Sequence, residues 1–583
     1  MILQALTDYY QRRAADPSSG IAPFGFSLEK LGFVLVLDGK GELIDVADVR
    51  ETKGSKKIPV SYLLPQAVKR SSGIAANLLW DNVDYVLGMD TKGKPERAAM
   101  AHTAFVARLT DELLPICNDP GLAAVGVWLR QDSPALIEQV TRFIKRDELQ
   151  SANLSFKLAG DPVPLLCQRE AVIAAIEQLA NSRSTDNNIC LLSGKSGPLA
   201  RLHPSIKGVW GGQSSGGNII SFNLPAFSSY NKDQGANAPI SEQSAFAYTT
   251  ALNDLLRQRA PDASVVHCLQ VGDASTVFWA EKTNHPLEQS FTSLFGEPPK
   301  DSDPGQGVQA VRALYRAVEQ GGYTPDDSNT RFYVLGLAPN ASRISIRFWQ
   351  VATVAELAPR IVRYFNDIEI IRPHFDSGPP SLFRVLLSVA AQNKADNIPP
   401  NLAGDTLRTI LEGRPYPLTL LQAALRRNRA EQRITPNRAA LIKACLIRCF
   451  NILEGGKLVS LDTTRTEPAY RLGRLFAALE KLQNEAQGDI NRTIGESYFG
   501  AASSNPRAVF STLLKLHKHH LNKLKRDKPG RERYFSALIG EIMNGLDNYP
   551  NQLDLAAQGL FSIGYYHQRQ AFYTKSEVTS QGE

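Results

Sequence analysis

The hydrophobic period of the sequence changes near residue 350, and this change limits the folds that the chain can adopt. Before it, short apolar runs are bounded by glycine and polar residues, as in "FVLVLDGKGELIDV" and "RFYVLGLAPNASRISIRFWQV". After it, apolar residues recur every three or four positions, as in "YRLGRLFAALEKLQ" and "YFSALIGEIMNGL". The first pattern is typical of strands and the second of amphipathic helices. The sequence therefore predicts an α+β fold, with a mixed N-terminal region of antiparallel sheets followed by a C-terminal α-helical bundle.

Individual strands can be placed from their turns and their alternation. Residues 38–41, Asp-Gly-Lys-Gly, predict a hairpin turn that needs positive φ. Residues 264–281, "SVVHCLQVGD" and "TVFWAE", predict a second strand pair. In a later strand, apolar Ile344, Ile346 and Phe348 alternate with Arg343, Ser345 and Arg347. This alternation predicts one buried face and one cationic face.

The length of the chain indicates several domains, because 583 residues exceed what one core holds. We expect an α+β region at 1–350, which can divide into 1–160 and 161–350. A helical intermediate segment is expected at 351–455, and a small helical bundle at 456–583.

Composition places the chain among soluble, reduced proteins. Net charge is +7, which permits nucleic-acid binding without requiring it, and no apolar run is long enough for a membrane span. Asp8 and the absence of an early cationic region argue against a signal peptide. The six cysteines form no CxxC pair and have no histidine at zinc-finger spacing; Cys445 and Cys449, one helical turn apart, suit core packing. We therefore expect a cytoplasmic protein without membrane, metal or cofactor.

Enzyme motifs are weak. "SGKSGP" at 193–198 resembles the end of a P-loop, but Ile189 stands where the first glycine belongs, and Gly-Pro follows where a helix should begin. "HKHH" at 517–520 has no nearby carboxylate and suits a basic helix face better than a metal site. The sequence predicts no catalytic residue. One enzymatic alternative stays open: a nucleotide-binding hydrolase that uses the Gly/Ser-rich loop 208–218, with His203 beside Ser214 and Ser215.

That loop lies within "HPSIKGVWGGQSSGGNIISFN", residues 203–223, where glycines, serines and amides precede an apolar strand. Glycines let backbone N–H groups approach a ligand closely, and amides suit base edges or sugar-phosphate. A tight structural turn is the alternative. The predicted DNA-binding residues here are Lys207, Gln213, Ser214, Ser215, Asn218 and Lys232.

A second candidate cluster lies in the N-terminal third. Basic residues there precede a small polar turn, which is typical of a grip on a duplex backbone, although solvated loops have the same composition. The predicted DNA-binding residues are Lys53, Lys56, Lys57, Lys69, Arg70, Ser71, Ser72 and Asn77.

Two basic stretches lie among the C-terminal helices, at 425–448 and 516–534. Either one alone suits a solvated helix face, but two in one helical region favour a track for a polyanion. The predicted polyanion track consists of Arg426, Arg427, Arg429, Arg433, Lys515, Lys518, Lys523 and Lys525.

Segments along nearly the whole chain resemble one family. They include "MILQALTDYYQRR", "NLLWDNVDYVLGMD", "LHPSIKGVWGGQSSGGNIISFN", "SSYNKDQGANAPISEQSAFAYTTALN", "PPNLAGDTLRTIL" and "GLFSIGYYHQRQ". Together they are similar to the large subunit, Csd-type, of the type I-C CRISPR surveillance complex, Cascade.

The resemblance implies a non-catalytic, RNA-guided function. CRISPR RNA would read sequence by pairing, and this subunit would read a protospacer-adjacent motif in double-stranded DNA and promote opening of the strands. The implied partners are the backbone and crRNA-processing subunits of Cascade, a small subunit and a recruited helicase–nuclease. A purely structural scaffold, indifferent to DNA sequence, is a further alternative.

The resemblance also implies that the small subunit arises from an internal start in the same gene. Of the four methionines, Met543 lies too late, inside an apolar stripe, and Met100 too early. A non-AUG start is therefore expected within "GGKLVSLDTT", with Leu458, Val459 and Leu461 as candidates.

Overall fold

The computed structural model describes residues 1–573, apart from short gaps, and divides them into two compact units. The first unit comprises residues 1–207 and 215–254, and the second comprises 208–214 and the chain from 255 onward. The gaps are residues 17–18, 55, 69, 71–72, 151, 182–187, 258–265, 283–285, 298–304, 320–328, 374–375, 377, 400, 453–457 and 489–491.

The first unit combines eight strands with eight helices among the described residues. Its strands are β1 (Phe26–Leu31), β2 (Phe33–Leu37), β3 (Leu43–Asp48), β4 (Glu51–Lys53), β5 (Lys56–Ile58), β6 (Val60–Pro65), β7 (Trp80–Asn82) and β8 (Asn153–Leu158). Its helices are α1 (Ile2–Ala14), α2 (Val83–Val86), α3 (Pro95–Ala107), α4 (Pro120–Trp128), α5 (Ser133–Thr141), α6 (Arg146–Leu149), α7 (Glu170–Asn181) and α8 (Glu242–Leu256, whose last two residues belong to the second unit).

The main sheet of the first unit has the order β3-β2-β8-β7. The predicted hairpin is confirmed: β2 and β3 pair antiparallel, Gly41 has φ +87°, and the Asp38 carboxylate accepts bonds from the N–H groups of Lys40 and Glu42. β2 and β8 are parallel, which the alternation of short strands did not predict. The pairs β1–β6 and β4–β5 form two further antiparallel sheets.

The second unit is one sheet followed by many helices. Its strands are β9 (Cys268–Val271), β10 (Ala274–Ala280), β11 (Arg331–Asn340) and β12 (Arg343–Thr353). Its described helices are α9 (Pro286–Phe295), α10 (Gly305–Glu319), α11 (Val354–Ile368), α12 (Leu382–Leu387), α13 (Leu402–Glu412), α14 (Leu418–Glu431), α15 (Pro436–Phe450), α16 (Pro468–Gln487), α17 (Ile494–Ala502), α18 (Pro506–Asp527), α19 (Pro529–Met543) and α20 (Leu555–Ala571). Among the described residues, no helix has the length and apolar character needed to cross a bilayer.

The sheet of the second unit is antiparallel throughout, in the order β12-β11-β10-β9. The predicted alternation in β12 holds for Ile344 and Phe348, which are buried, but fails at Ile346, which is 41% exposed. The pairing register of β11 and β12 shifts between Gly336 and Leu337, and such a bulge interrupts the two-residue alternation. Gly336 is needed there, because an added Cβ would lie 2.3 Å from the ring of Phe348.

The helices that follow the sheet share its apolar core. Phe278 and Phe332 on the strands belong to the same buried cluster as Leu357 on α11 and Phe476 on α16. The two units divide the chain near residue 254. The expected domain boundaries at 350 and 455 stay predictions. The predicted fold class, α+β with helices toward the C-terminus, is confirmed.

The C-terminal helices are organised by a close crossing of α16 and α20. An added Cβ at Gly473 would lie 2.1 Å from the backbone oxygen of Phe561, and one at Gly564 would lie 2.1 Å from that of Tyr470. Two glycines, one on each helix, thus let the backbones touch. The predicted apolar stripe of α16 is confirmed, because Leu472, Leu475, Phe476, Leu479 and Leu482 are all buried.

A buried histidine at this crossing makes stability depend on pH. His567 is fully buried, and its Nδ1 lies 3.0 Å from the hydroxyl of Tyr470. Burial, together with the nearby charges of Lys443 and Arg465, lowers the pKa of His567 to about 3. The unfolded chain therefore takes up a proton below its ordinary histidine pKa of about 6.5, whereas the folded chain does not.

We expect this histidine to lower the free energy of unfolding by about 2 kcal/mol between pH 7.5 and 5.0, since stability falls as pH drops below the unfolded pKa. Urea unfolding at both pH values measures the loss. The variant His567→Gln should lose less on acidification, and the exposed His519→Gln is the control. Equal pH dependence in both variants would contradict the assignment.

Candidate nucleic-acid interface

The Gly/Ser-rich loop has a closed stem. Ile206 and Gly217 exchange two backbone hydrogen bonds of 2.8 and 2.9 Å, N–H to carbonyl in each direction. Gly216 has φ +83°, and an added Cβ would lie 2.6 Å from the Ile206 oxygen. Only glycine fits at this position, so the stem is structural.

The tip of the loop, residues 208–214, belongs to the second unit. The N–H of Gly212 donates to the carbonyl of Val209, and Gly211 between them has φ +72°, which makes a tight turn. The backbone N–H of Trp210 donates to the Ser275 hydroxyl on β10 at 2.8 Å. Gln213, Ser214 and the adjoining Ser215 are exposed.

Asn218 lies behind the exposed part of the loop. It is buried, and its amide nitrogen donates to the carbonyls of His203 and Pro204 at 3.0 and 2.9 Å. His203 is also buried, and its Nδ1 lies 2.6 Å from the Tyr248 hydroxyl, whose pKa is raised by burial. These contacts give Asn218 a role in holding the loop.

The two lysines that flank the loop are exposed. The Nζ of Lys207 lies 3.3 Å from Oε2 of Glu29, a weak and half-exposed pair. Lys232 stands on the exposed loop 223–233. Both lysines remain accessible to a polyanion.

In the N-terminal cluster, β4 and β5 form a hairpin that is exposed wherever its side chains are described. Lys56 is exposed and has no carboxylate partner among the described residues. Lys57 pairs with Asp48 at 2.7 Å; Arg50, with help from Lys57, holds the pKa of Asp48 well below its usual range. The side chain of Lys53 lies outside the described residues.

The polar turn that follows is held together by an ion pair and hydrogen bonds among its own residues. The Arg70 guanidinium pairs with the buried carboxylate of Asp81 and lies 4.1 Å above the ring of Tyr85. Asn77 is buried and its oxygen accepts the N–H of Val68. Arg70 Nε also donates to the Ala75 carbonyl. These contacts give Arg70 and Asn77 a role in holding this loop. Lys69, Ser71 and Ser72 lie outside the described residues.

Helix α18 carries a continuous cationic face, which we call the lysine stripe: Lys515, Lys518, Lys525 and Arg526. These residues are spaced three, seven and one apart, so they line one side of the helix over about 16 Å. All are exposed, whereas Phe510, Leu513 and Leu524 on the other side are buried. Lys523 is exposed but lies about 80° around the helix from Lys515.

The predicted arginines of α14, together with Arg433 just beyond its end, divide into two kinds. Arg427 pairs with Glu431, and Arg429 donates to the side chain of Gln558. Arg426 and Arg433 are exposed, and neither has a carboxylate partner among the described residues. Of the residues predicted for the track, those of the lysine stripe are exposed, as are Arg426, Arg429 and Arg433.

The P-loop-like motif and the histidine-rich motif do not have the geometry that a phosphate site or a metal site requires. No helix follows Lys195 and Ser196 in "SGKSGP", as a P-loop would require. His520 of "HKHH" is buried and faces the core of the second unit. Within the described ranges, no group of three or more His, Cys, Asp or Glu residues is arranged to hold a metal ion.

These features define a protein with exposed, cationic and glycine-rich elements. A family model described as "CRISPR-associated protein (Cas_Csd1)" matches residues 6–573. The chain belongs to this Cas_Csd1 family of CRISPR-associated proteins. No curated protein matches the sequence.

Proposed function

We propose that this chain is the non-catalytic large subunit of a type I-C Cascade and that it recognises the protospacer-adjacent motif in double-stranded DNA. The observation that carries the proposal is the loop tip, where a glycine turn precedes the solvent-exposed side chains of Gln213 and Ser214. A tip with little side-chain bulk suits close approach to a groove, and an amide offers donor and acceptor to a base edge.

The remaining roles follow from family membership and from charge. Lys56 and Lys207 would contact the duplex backbone, which fixes register without reading sequence. The lysine stripe would follow the displaced strand and so promote R-loop formation. CRISPR RNA, the backbone and crRNA-processing subunits, and a recruited helicase–nuclease would be the partners, in the cytoplasm.

We expect Gln213→Ala to relax preference at one motif position, because loss of one base-edge contact costs about 1–3 kcal/mol. Lys56→Ala should instead weaken all duplexes about equally and flatten the salt dependence. Binding of the assembled complex to a motif library measures both changes. Unchanged preference in Gln213→Ala would exclude this residue from motif reading.

The alternative, a nucleotide hydrolase that uses loop 208–218, rests on the same exposed serines, Ser214 and Ser215. It predicts ATP or GTP turnover by the isolated chain that is lost in the double alanine variant. The proposed function predicts no turnover above that of this variant. Because His203 is buried against Tyr248, we favour DNA recognition.

A separate small subunit is expected to start between residues 458 and 461. This window precedes α16 and contains no helix, so a start there leaves the last five helices whole. Helix α20 would lose α15, whose Leu446 and Ile442 lie against Gly559, and a partner would have to cover that face. We expect N-terminal sequencing of the short product from a C-terminally tagged native gene to identify Leu458, Val459 or Leu461. A product that begins inside a helix would contradict this.

A further inference from the structure

An exposed loop in the first unit presents an aromatic ring at a tight turn. Residues 223–233 are exposed throughout, and Tyr230 among them is 96% exposed. Tyr230 and Asn231 have φ of +53° and +57°, and the N–H of Lys232 donates to the carbonyl of Ser229 at 3.0 Å. This geometry is that of a type I′ turn, which favours Asn-Gly, so a bulky tyrosine is unusual at its first central position.

Hydrogen bonds from one neighbouring side chain support the turn. The side chain of Asn237 accepts the N–H of Ser229 at 2.9 Å and donates to the carbonyls of Lys232 and Gln234 at 2.8 and 3.0 Å. The buried Gly235 fixes the base of the loop, since its N–H donates to the Arg201 carbonyl at 3.0 Å. The ring is thus displayed on a supported turn, and its position is set before any ligand binds.

The neighbours of the ring indicate the kind of ligand. Ser228, Ser229 and Asn231 are small, exposed and neutral, and Lys232 adds a cation one residue away; Asp233 is the single acid of the loop. Small polar flanks leave both faces of the ring open, which suits a flat nucleobase, and the lysine suits its phosphate. A protein partner would more naturally use Leu224 and Phe227 together with the ring.

We propose that Tyr230 stacks on an unpaired nucleobase, with Lys232 beside the adjoining phosphate. This inference rests on the proposal that the chain holds nucleic acid, and it assigns a stacking residue that does not read the motif. Stacking accepts any base, because every base has a π face.

The first test is fluorescence of full-length Tyr230→Trp titrated with an oligothymidylate of about 12 nucleotides, a typical single-strand site size. The signal of the five native tryptophans is measured in the parent chain and subtracted. Stacking quenches the introduced indole. The matched control, Leu191→Trp, places an indole at a position that is 72% exposed in the same unit and should show no quenching.

The second test is affinity for the same oligonucleotide. Tyr230→Ala and Tyr230→Leu should each bind about 5- to 100-fold more weakly, whereas Tyr230→Phe stays within about twofold of the parent, because stacking needs an aromatic face and not a hydroxyl. The salt dependence should be unchanged in Tyr230→Ala and shallower by about 0.7 in Lys232→Ala.

Affinities of Tyr230→Ala within about twofold of the parent would overturn the proposal. So would a leucine variant that binds as tightly as phenylalanine, or a defect that appears only when partner proteins are added, which would indicate protein docking. The oligonucleotide carries no motif, so this test gives a result even if the chain does not recognise a motif. If Tyr230 does not stack, motif preference is unaffected.

Discussion

Replacing Lys515, Lys518 and Lys525 together by glutamine is expected to weaken binding of single-stranded DNA by the full chain on the order of 100-fold at 0.1 M salt. The physical reason is counterion release: each phosphate contact contributes about 0.7 to the slope of log affinity against log salt, so three contacts contribute about 2. These lysines are exposed and share one helix face, and so can follow one backbone. A salt titration measures the affinity and the slope together.

The matched control is the triple glutamine variant of Lys92, Lys94 and Lys145, which are exposed in the first unit and carry the same total charge. Lys523→Gln is a second control, because this lysine lies off the stripe. In the assembled complex, the stripe variant should reduce permanganate reactivity of the displaced strand more than it alters motif preference. Equal losses of affinity in the two triple variants would show that the stripe acts only through the total charge of the chain.

Alanine at Gly564 is expected to lower the free energy of unfolding by about 3 kcal/mol or more, the upper range for overpacking. The added methyl would lie 2.1 Å from the Tyr470 backbone oxygen, so α16 and α20 must separate. Gly473→Ala should behave similarly, since it meets the Phe561 oxygen at the same distance. Urea unfolding of the full chain measures both.

The control for this prediction is Gly540→Ala on the exposed side of α19, where an added Cβ meets no atom within 4 Å. There alanine should raise stability by about 0.5–1 kcal/mol, because glycine weakens a helix interior. A Gly564→Ala chain as stable as the Gly540→Ala chain would show that the two helices do not cross as closely as described.

The sequence predicted the elements whose signal is local. Short apolar runs bounded by turns identified β2, β3 and the strands of the second unit, and the 3.6-residue period identified α16 and α19, because each of these signals lies within a few residues. The bulge in β12 was not predicted, since the register shift that exposes Ile346 depends on how Gly336 on β11 meets Phe348. The 3.6-residue helical period alone could have shown that Lys523 lies off the lysine stripe.

The candidate site was less predictable, because whether a charge is available depends on partners distant in sequence. The sequence predicted Arg70 as a phosphate ligand, but its guanidinium is paired with Asp81, eleven residues further along the chain. Asn218 is likewise engaged by carbonyls near His203. Tyr230 was missed because neither charge nor period marks it; the polar run "SSYNKD" is the signal that could have identified a turn.

The most direct test of the account assembles the guide-loaded complex with and without this chain and measures permanganate reactivity of the displaced strand. Two targets are compared that differ only in the flanking motif. We predict opening only when both the chain and the motif are present, because motif recognition by this subunit precedes pairing of the guide. Equal opening without the chain, or with either flanking sequence, would contradict the proposed role.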